Sequence, residues 1–176
     1  MSAEEKVVAG NEAYMDEEYE SSSLSRDDAL TFGTMVHKLL EDIINSKDIV
    51  LDDSICEYIA FNYGNISFKD KLLKIKETIY NGGFKQEKCP FSDLLKVAKD
   101  CQTSTEVPFS FKDGNKIVNG FIDLILESKD EIMVIDYKTD ATEIDHKEQL
   151  DCYVKALSKN NPYSKKISSY IYLIAK

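Results

Sequence analysis

The stretch Gly120-Phe-Ile-Asp-Leu-Ile-Leu-Glu-Ser-Lys-Asp-Glu-Ile-Met-Val-Ile-Asp-Tyr-Lys138 decides how this chain is read. Two apolar runs flank the polar triplet Ser128-Lys129-Asp130, the pattern of two neighbouring strands joined by a tight turn. Asp123 interrupts the first run, and Asp136 and Lys138 close the second. Two carboxylates and an ammonium then meet among apolar neighbours. That arrangement is costly unless a metal ion or an anionic substrate offsets it.

The spacing makes a shared ligand feasible. Adjacent strands lie about 4.8 Å apart, so Asp123 and Asp136 on one face can reach a common ion. Paired hard carboxylate oxygens suit Mg²⁺ or Mn²⁺. Lys138, two residues past Asp136, points to the same face by strand alternation. A metal with a lysine beside it is what phosphodiester hydrolysis requires: one acidifies water, the other offsets charge on the phosphate.

Upstream, residues 105–112 alternate with Val107, Phe109 and Phe111 on one face. Asp113-Gly114-Asn115 has hairpin-turn chemistry and leads into a strand over 116–127; a third strand spans 131–137. Four helical patterns precede these strands. The first starts at Ser25, a serine cap with Asp28 three residues on, and runs to about residue 46 with Leu30, Met35, Val36, Leu39, Leu40, Ile43 and Ile44 at helical spacing. The others cover 53–63, 68–80 (stopped by Asn81-Gly82-Gly83) and 90–100. Downstream lie an amphipathic helix over 145–159, ended near Asn160-Asn161-Pro162, and a closing strand over 166–175. Three consecutive strands predict an antiparallel meander, and the helix before the last strand predicts a crossover, so the sheet is mixed.

Residues 1–24 are acidic, lack periodicity and contain Ser21-Ser22-Ser23, the marks of a mobile leader or a linker. Residues 25–176 form the expected domain. Of the formal charge of −10, residues 1–30 account for −7. The body, with 23 acids and 20 bases, is close to neutral and so compatible with a local basic surface. No apolar run approaches the roughly 20 residues of a membrane span, and the N-terminus lacks the apolar core of a signal peptide, so a cytoplasmic protein is the expectation. Cys56, Cys89, Cys101 and Cys152 are scattered without a CxxC pair and read as core or surface thiols.

On the first helix His37 and Glu41 sit one turn apart, and an imidazole can add a ligand to a Mn²⁺ or Mg²⁺ site. Gly33, one turn before His37, leaves room for the helix to approach another backbone. His146 reads as a surface residue near a helix start. Lys69, Lys71, Lys74 and Lys76 read as a solvated helix face, with phosphate contact as the alternative.

Gly33-Thr-Met-Val-His37, Gly120-Phe-Ile-Asp123, Asp136-Tyr-Lys138-Thr139 and Gln149-Leu-Asp-Cys-Tyr153, in that order, resemble the RecB-type nucleases of the PD-(D/E)xK superfamily. The likeness is closest to the C-terminal nuclease domain of AddA- and RecB-type helicase–nucleases and covers about residues 25–176. It implies an α/β, restriction-endonuclease-like core: a mixed central β-sheet flanked by helices, with extra N-terminal helices. It implies a Mg²⁺- or Mn²⁺-dependent deoxyribonuclease, an exonuclease acting on a single-stranded DNA end in break repair or recombination. A helicase motor in the same polypeptide or complex is the implied partner. His37, Asp123, Asp136 and the Tyr137 carbonyl would hold the metal, and Lys138 would be the catalytic lysine. Gln149 and Tyr153 would steady the lysine region and contact DNA. Glu106 resembles a recurring family acid, and Glu41 is a supporting acid. Some relatives carry four cysteines around an iron–sulfur cluster; that pattern is missing here, so no iron–sulfur cluster is expected. No phosphate loop GxxxxGK[ST] occurs in the chain. Two other readings stand beside this one: an inactive copy of the fold kept for DNA binding or protein interaction, and an α/β interaction domain whose acidic leader is the binding tail.

Overall fold

The computed structural model describes residues 6–8, 24–139, 146–159 and 161–174. The elements follow as β1 (Lys6–Val8), α1 (Arg26–Asn45), α2 (Ser54–Asn62), a 3₁₀ turn (Ile66–Phe68), α3 (Lys69–Tyr80), α4 (Leu94–Lys99), β2 (Gln102–Asp113), β3 (Lys116–Glu127), β4 (Glu131–Lys138), α5 (Lys147–Ser158) and β5 (Lys166–Leu173). Among the described residues no helix is long and apolar enough to cross a membrane.

The hairpin that opened the sequence reading is the centre of the sheet. β2, β3 and β4 form an antiparallel meander, and β5 lies parallel to β4 after the α5 crossover. The mixed α/β sheet flanked by helices is therefore as expected. Gly114, at φ +60, occupies the first central position of the two-residue loop closed by Asp113 and Lys116, where positive φ favours glycine. β1 was not anticipated. It pairs in parallel with β3 over residues 117–119, and the remainder of the segment read as a leader up to residue 23 lies outside the described residues.

Each face of the sheet buries its own cluster. One face carries Leu124, Leu126, Ile135, Tyr137 and Tyr172 against Met35, Val36, Leu39, Leu40 and Ile43 of α1 and the apolar sides of α2, α3 and α4. The other carries Ile122, Ile125, Ile132 and Val134 against Tyr153, Leu150 and Leu157 of α5. Ile122 and Leu124 share a parity yet serve opposite faces, so strand alternation breaks between them, at Asp123. The cap on α1 is as read: Ser25 Oγ accepts from Asp28 N at 3.1 Å.

α4 is shorter than its periodicity suggests. Residues 90–93 stay out of the helix because Asp93 caps it, accepting from Lys96 N at 3.0 Å, and because the Tyr172 hydroxyl takes the Ser92 carbonyl. The same hydroxyl accepts from Phe84 N at 3.1 Å, and Gln86 both donates to and accepts from the Leu173 backbone, at 2.7 and 2.8 Å. This loop extends the edge of β5 with side-chain rungs. Gly83 is its tightest point: it has φ +80, and a Cβ there would stand 1.8 Å from the Ser92 carbonyl oxygen. Gly82 has φ +105 but open space around it. Alanine at either position strains the backbone, and at Gly83 it also clashes. Gly83→Ala should therefore destabilise the fold by roughly 1–3 kcal/mol more than Gly82→Ala in urea denaturation, the usual scale of overpacking.

Candidate active site

The residue opposite Asp123 on each neighbouring strand is also acidic. Thr105 pairs with Leu124 and Val107 with Ile122, which puts Glu106 across from Asp123 on β2. Leu124 pairs with Ile135 on the other side, which carries the same row to Asp136 on β4. Glu106, Asp123 and Asp136 thus form one acidic row across three strands. Asp123 is 6% exposed and Asp136 1%.

The ladder between β3 and β4 ends at this row. Where the next backbone rung would fall, the Asp123 side chain replaces it, Oδ2 accepting from Tyr137 N at 2.8 Å. β2 distorts as well: Glu106 has φ +48, a conformation that a non-glycine residue adopts only under constraint. Burial, followed by the charge of Asp123, pushes the Glu106 carboxyl above its usual value.

α1 lies over the row and lowers His37 onto it. His37 Nδ1 stands 3.2 Å from Asp123 Oδ1, and its ring meets Tyr137 edge-on with centroids 5.6 Å apart. Burial is the largest influence on His37 and disfavours its charged form. The Asp123 carboxylate, by charge and hydrogen bond, and Asp136 behind it outweigh that burial and raise the imidazole above its ordinary value. One ligand atom each from His37, Glu106 and Asp123 lies within 4.8 Å of the others. An imidazole nitrogen with two carboxylate oxygens is a donor set that can hold a divalent metal ion.

Asp136 is engaged on the α5 side instead. Tyr153 donates its hydroxyl to Asp136 Oδ1 at 3.1 Å, and Gln149 Nε2 donates to that hydroxyl at 2.7 Å. Lys138 Nζ donates to Gln149 Oε1 at 3.3 Å and stands 2.8 Å from Asp136 Oδ2. These four side chains close a ring. The Lys138 ammonium is the cation facing buried Oδ2, which accepts from no other group among the described residues. Burial, then the charge of Asp123, raises the Asp136 carboxyl despite Lys138.

The structure therefore brings His37, Asp123, Asp136, Tyr137, Lys138, Gln149, Tyr153 and Glu106 to one place. It divides them into a His37–Glu106–Asp123 group and an Asp136–Lys138–Gln149–Tyr153 ring. Glu41 pairs with Lys38 at 3.1 Å, and Lys38 also meets Asp42 at 2.9 Å; the Glu41 charge reaches Glu106 from outside the His37 group. His146 is the residue before α5. Gly33 meets Thr139 Oγ1, and an added Cβ there would make only ordinary contact at 3.8 Å. Of the lysines read as a solvated face, Lys76 is instead buried against Asp53; Lys69 pairs with Glu57, Lys71 lies over the Phe32 and Phe68 rings, and Lys74 is exposed. The four thiols are free and dispersed.

The residue that sequence reasoning undervalued is Glu106, taken only from a resemblance and given a supporting place. The signal was present. A turn at residues 114–115 pairs 113 with 116, and counting back seven residues on each strand sets 106 against 123.

Residues 11–176 match the family model of the PD-(D/E)XK nuclease superfamily. No curated protein matches the chain.

A cation held by the His37 group should raise the melting temperature, since a ligand at about 100 times its Kd adds about 2.7 kcal/mol. We expect Mn²⁺ to stabilise the parent chain in a thermal melt. Asp123→Asn and Glu106→Gln should lose most of that shift, and Glu41→Gln should keep it. A full shift in Glu106→Gln would remove Glu106 from the ligand set.

Proposed function

The chain belongs to the PD-(D/E)XK nuclease superfamily, and on that premise we propose that it hydrolyses phosphodiester bonds of DNA with a divalent cation, Mg²⁺ or Mn²⁺. The observation that carries this reading is the acidic row, buried at Asp123 and Asp136, with His37 on one side and Lys138 on the other. His37, Glu106 and Asp123 would hold the ion, with Asp136 and the Tyr137 carbonyl as the remaining protein ligands. Buried Asp136 Oδ2, faced by the Lys138 ammonium alone among the described residues, keeps lone pairs that a cation could take.

A bound divalent cation supplies Lewis acidity, making water more acidic and neutralising charge that builds on the phosphate. Lys138 supplies the ammonium that orients the attacking water or meets the developing negative charge. Its placement depends on Asp136 and Gln149, which fix Nζ from two directions. Tyr153, through its donated hydrogen bond, fixes the Asp136 carboxylate and with it the direction of Oδ2.

The proposal extends to exonucleolytic action on a single-stranded end, in a cytoplasmic helicase–nuclease of break repair or recombination. Two things support it: the four ordered motifs that resemble RecB-type nucleases, and a nearly neutral body that would bind DNA weakly unless a motor delivered the strand. Lys138→Ala and Asp136→Ala should each lower cleavage of end-labelled DNA by at least about 10²–10³-fold, the scale of losing a group that stabilises transition-state charge, while circular dichroism shows a retained fold. Equal activity in mutant and parent refutes the assignment. Closed circular DNA left intact alongside degraded linear DNA marks an exonuclease. A parent chain that binds Mn²⁺ and DNA without cutting points to the inactive-module reading.

A further inference from the structure

Of the large apolar side chains exposed among the described residues, only Phe121 stands in a strand; Ile49, Val50, Tyr58, Phe61, Tyr63, Ile66 and Tyr163 lie on helices and loops. Phe121 is 58% exposed in β3, the strand at the heart of the sheet, where its neighbours Ile122, Asp123, Leu124, Ile125 and Leu126 are all buried. Isolated exposed apolar residues are normal on a protein surface, so exposure alone decides nothing. Its position decides more.

On the side away from β2, β3 pairs with β1 over residues 117–119 and with β4 over residues 124–127. Among the described residues, 120–123 have no strand partner on that side, a notch that holds both Phe121 and Asp123. Ile122 packs on the α5 side, so Phe121 points to the opposite side, the one from which α1 brings His37 to Asp123. Among the described residues the helical layer buries Leu124 and Leu126, while Phe121 stays 58% exposed. Two residues of strand separate Phe121 from Asp123, about 6.7 Å along the backbone. That is close to the distance from a nucleotide's phosphate to its own base. Gly120 contributes no side chain beside the ring, and the cross-strand partner Pro108 is a compact, exposed neighbour.

We propose that Phe121 is a base-stacking residue of this site: an unpaired nucleobase next to the scissile phosphate lies on its ring. The inference rests on the nuclease reading and assigns a residue that would read the unpaired strand. A ring face accepts any base, so the contact carries no sequence preference. It does discriminate strandedness, because a base inside a duplex already has both faces stacked. The residue selects single strands or frayed ends by what it can reach.

The chain contains no tryptophan, so Phe121→Trp places a single tryptophan at the notch, excited selectively over the tyrosines. In the full chain, with Lys138→Ala added to prevent cutting, oligothymidylate should quench that emission strongly. An abasic phosphodiester of equal length should not. In the otherwise unchanged protein, Phe121→Ala should weaken oligothymidylate binding about ten-fold or more and leave abasic binding as it was, with binding read by anisotropy of a labelled strand. Binding with no quench, or with the same quench by the abasic strand, overturns the stacking role and leaves the nuclease reading in place. A parent chain that neither binds nor cuts any DNA overturns both.

Discussion

Repulsion within a row of carboxylates is the constraint around which this molecule is arranged. Glu106, Asp123 and Asp136 occupy corresponding positions on three successive strands, in a sheet whose surroundings are apolar. Two unit charges 4.8 Å apart repel by about 3.5 kcal/mol at an effective dielectric near 20, so an uncompensated row would cost a sizeable part of a domain's stability. Each acid is handled differently. Asp123 accepts the Tyr137 amide and faces His37, Asp136 faces Lys138 and the Tyr153 hydroxyl, and Glu106 remains half-buried on a strained backbone. The residual negative potential is an attraction for a cation.

That arrangement accounts for features that look like defects in a sheet. The β3–β4 ladder stops at Leu124 and Ile135, where the Asp123 side chain takes the place of the next backbone acceptor. Alternation along β3 breaks at the same residue, which lets one strand serve both the helical layer and α5. A regular strand would turn Asp123 squarely onto one face. The break sets it between the faces, within reach of a histidine from α1 and an amide from β4. Stability elsewhere compensates for this: the α1–α4 layer buries a broad apolar cluster, and the Gln86 loop extends the exposed edge of β5. Strain concentrated at a site and supported by a well-packed frame is the usual bargain of functional proteins.

Much of this was legible before any coordinates. Local chemistry marks the Ser25 cap, the Gly114 turn, the alternating runs and the carboxylates of the 120–138 hairpin, because each signal lies within a few residues of the structure it creates. Lys138 follows from Asp136 by simple alternation. Errors fell where a distant contact outweighed local pattern. Residues 90–93 carry a helical continuation, but Tyr172, 80 residues away, claims the Ser92 carbonyl. β1 is a three-residue strand whose own residues give no alternation long enough to notice, and only pairing with β3 makes it a strand.

The sequence by itself determined the order of elements, the register of each hairpin and therefore the identity of the acids in the row. Turn chemistry and a two-residue period are local, and register follows from counting. Only the tertiary structure decided how the row is divided. His37 reaches Asp123 because α1 settles its whole apolar stripe on the sheet, an outcome of packing spread across four helices and three strands. Asp136 turns to Lys138, Gln149 and Tyr153 because α5 crosses back over the opposite face. No local pattern encodes those choices, since each depends on which of two faces a helix covers and how deeply it sits.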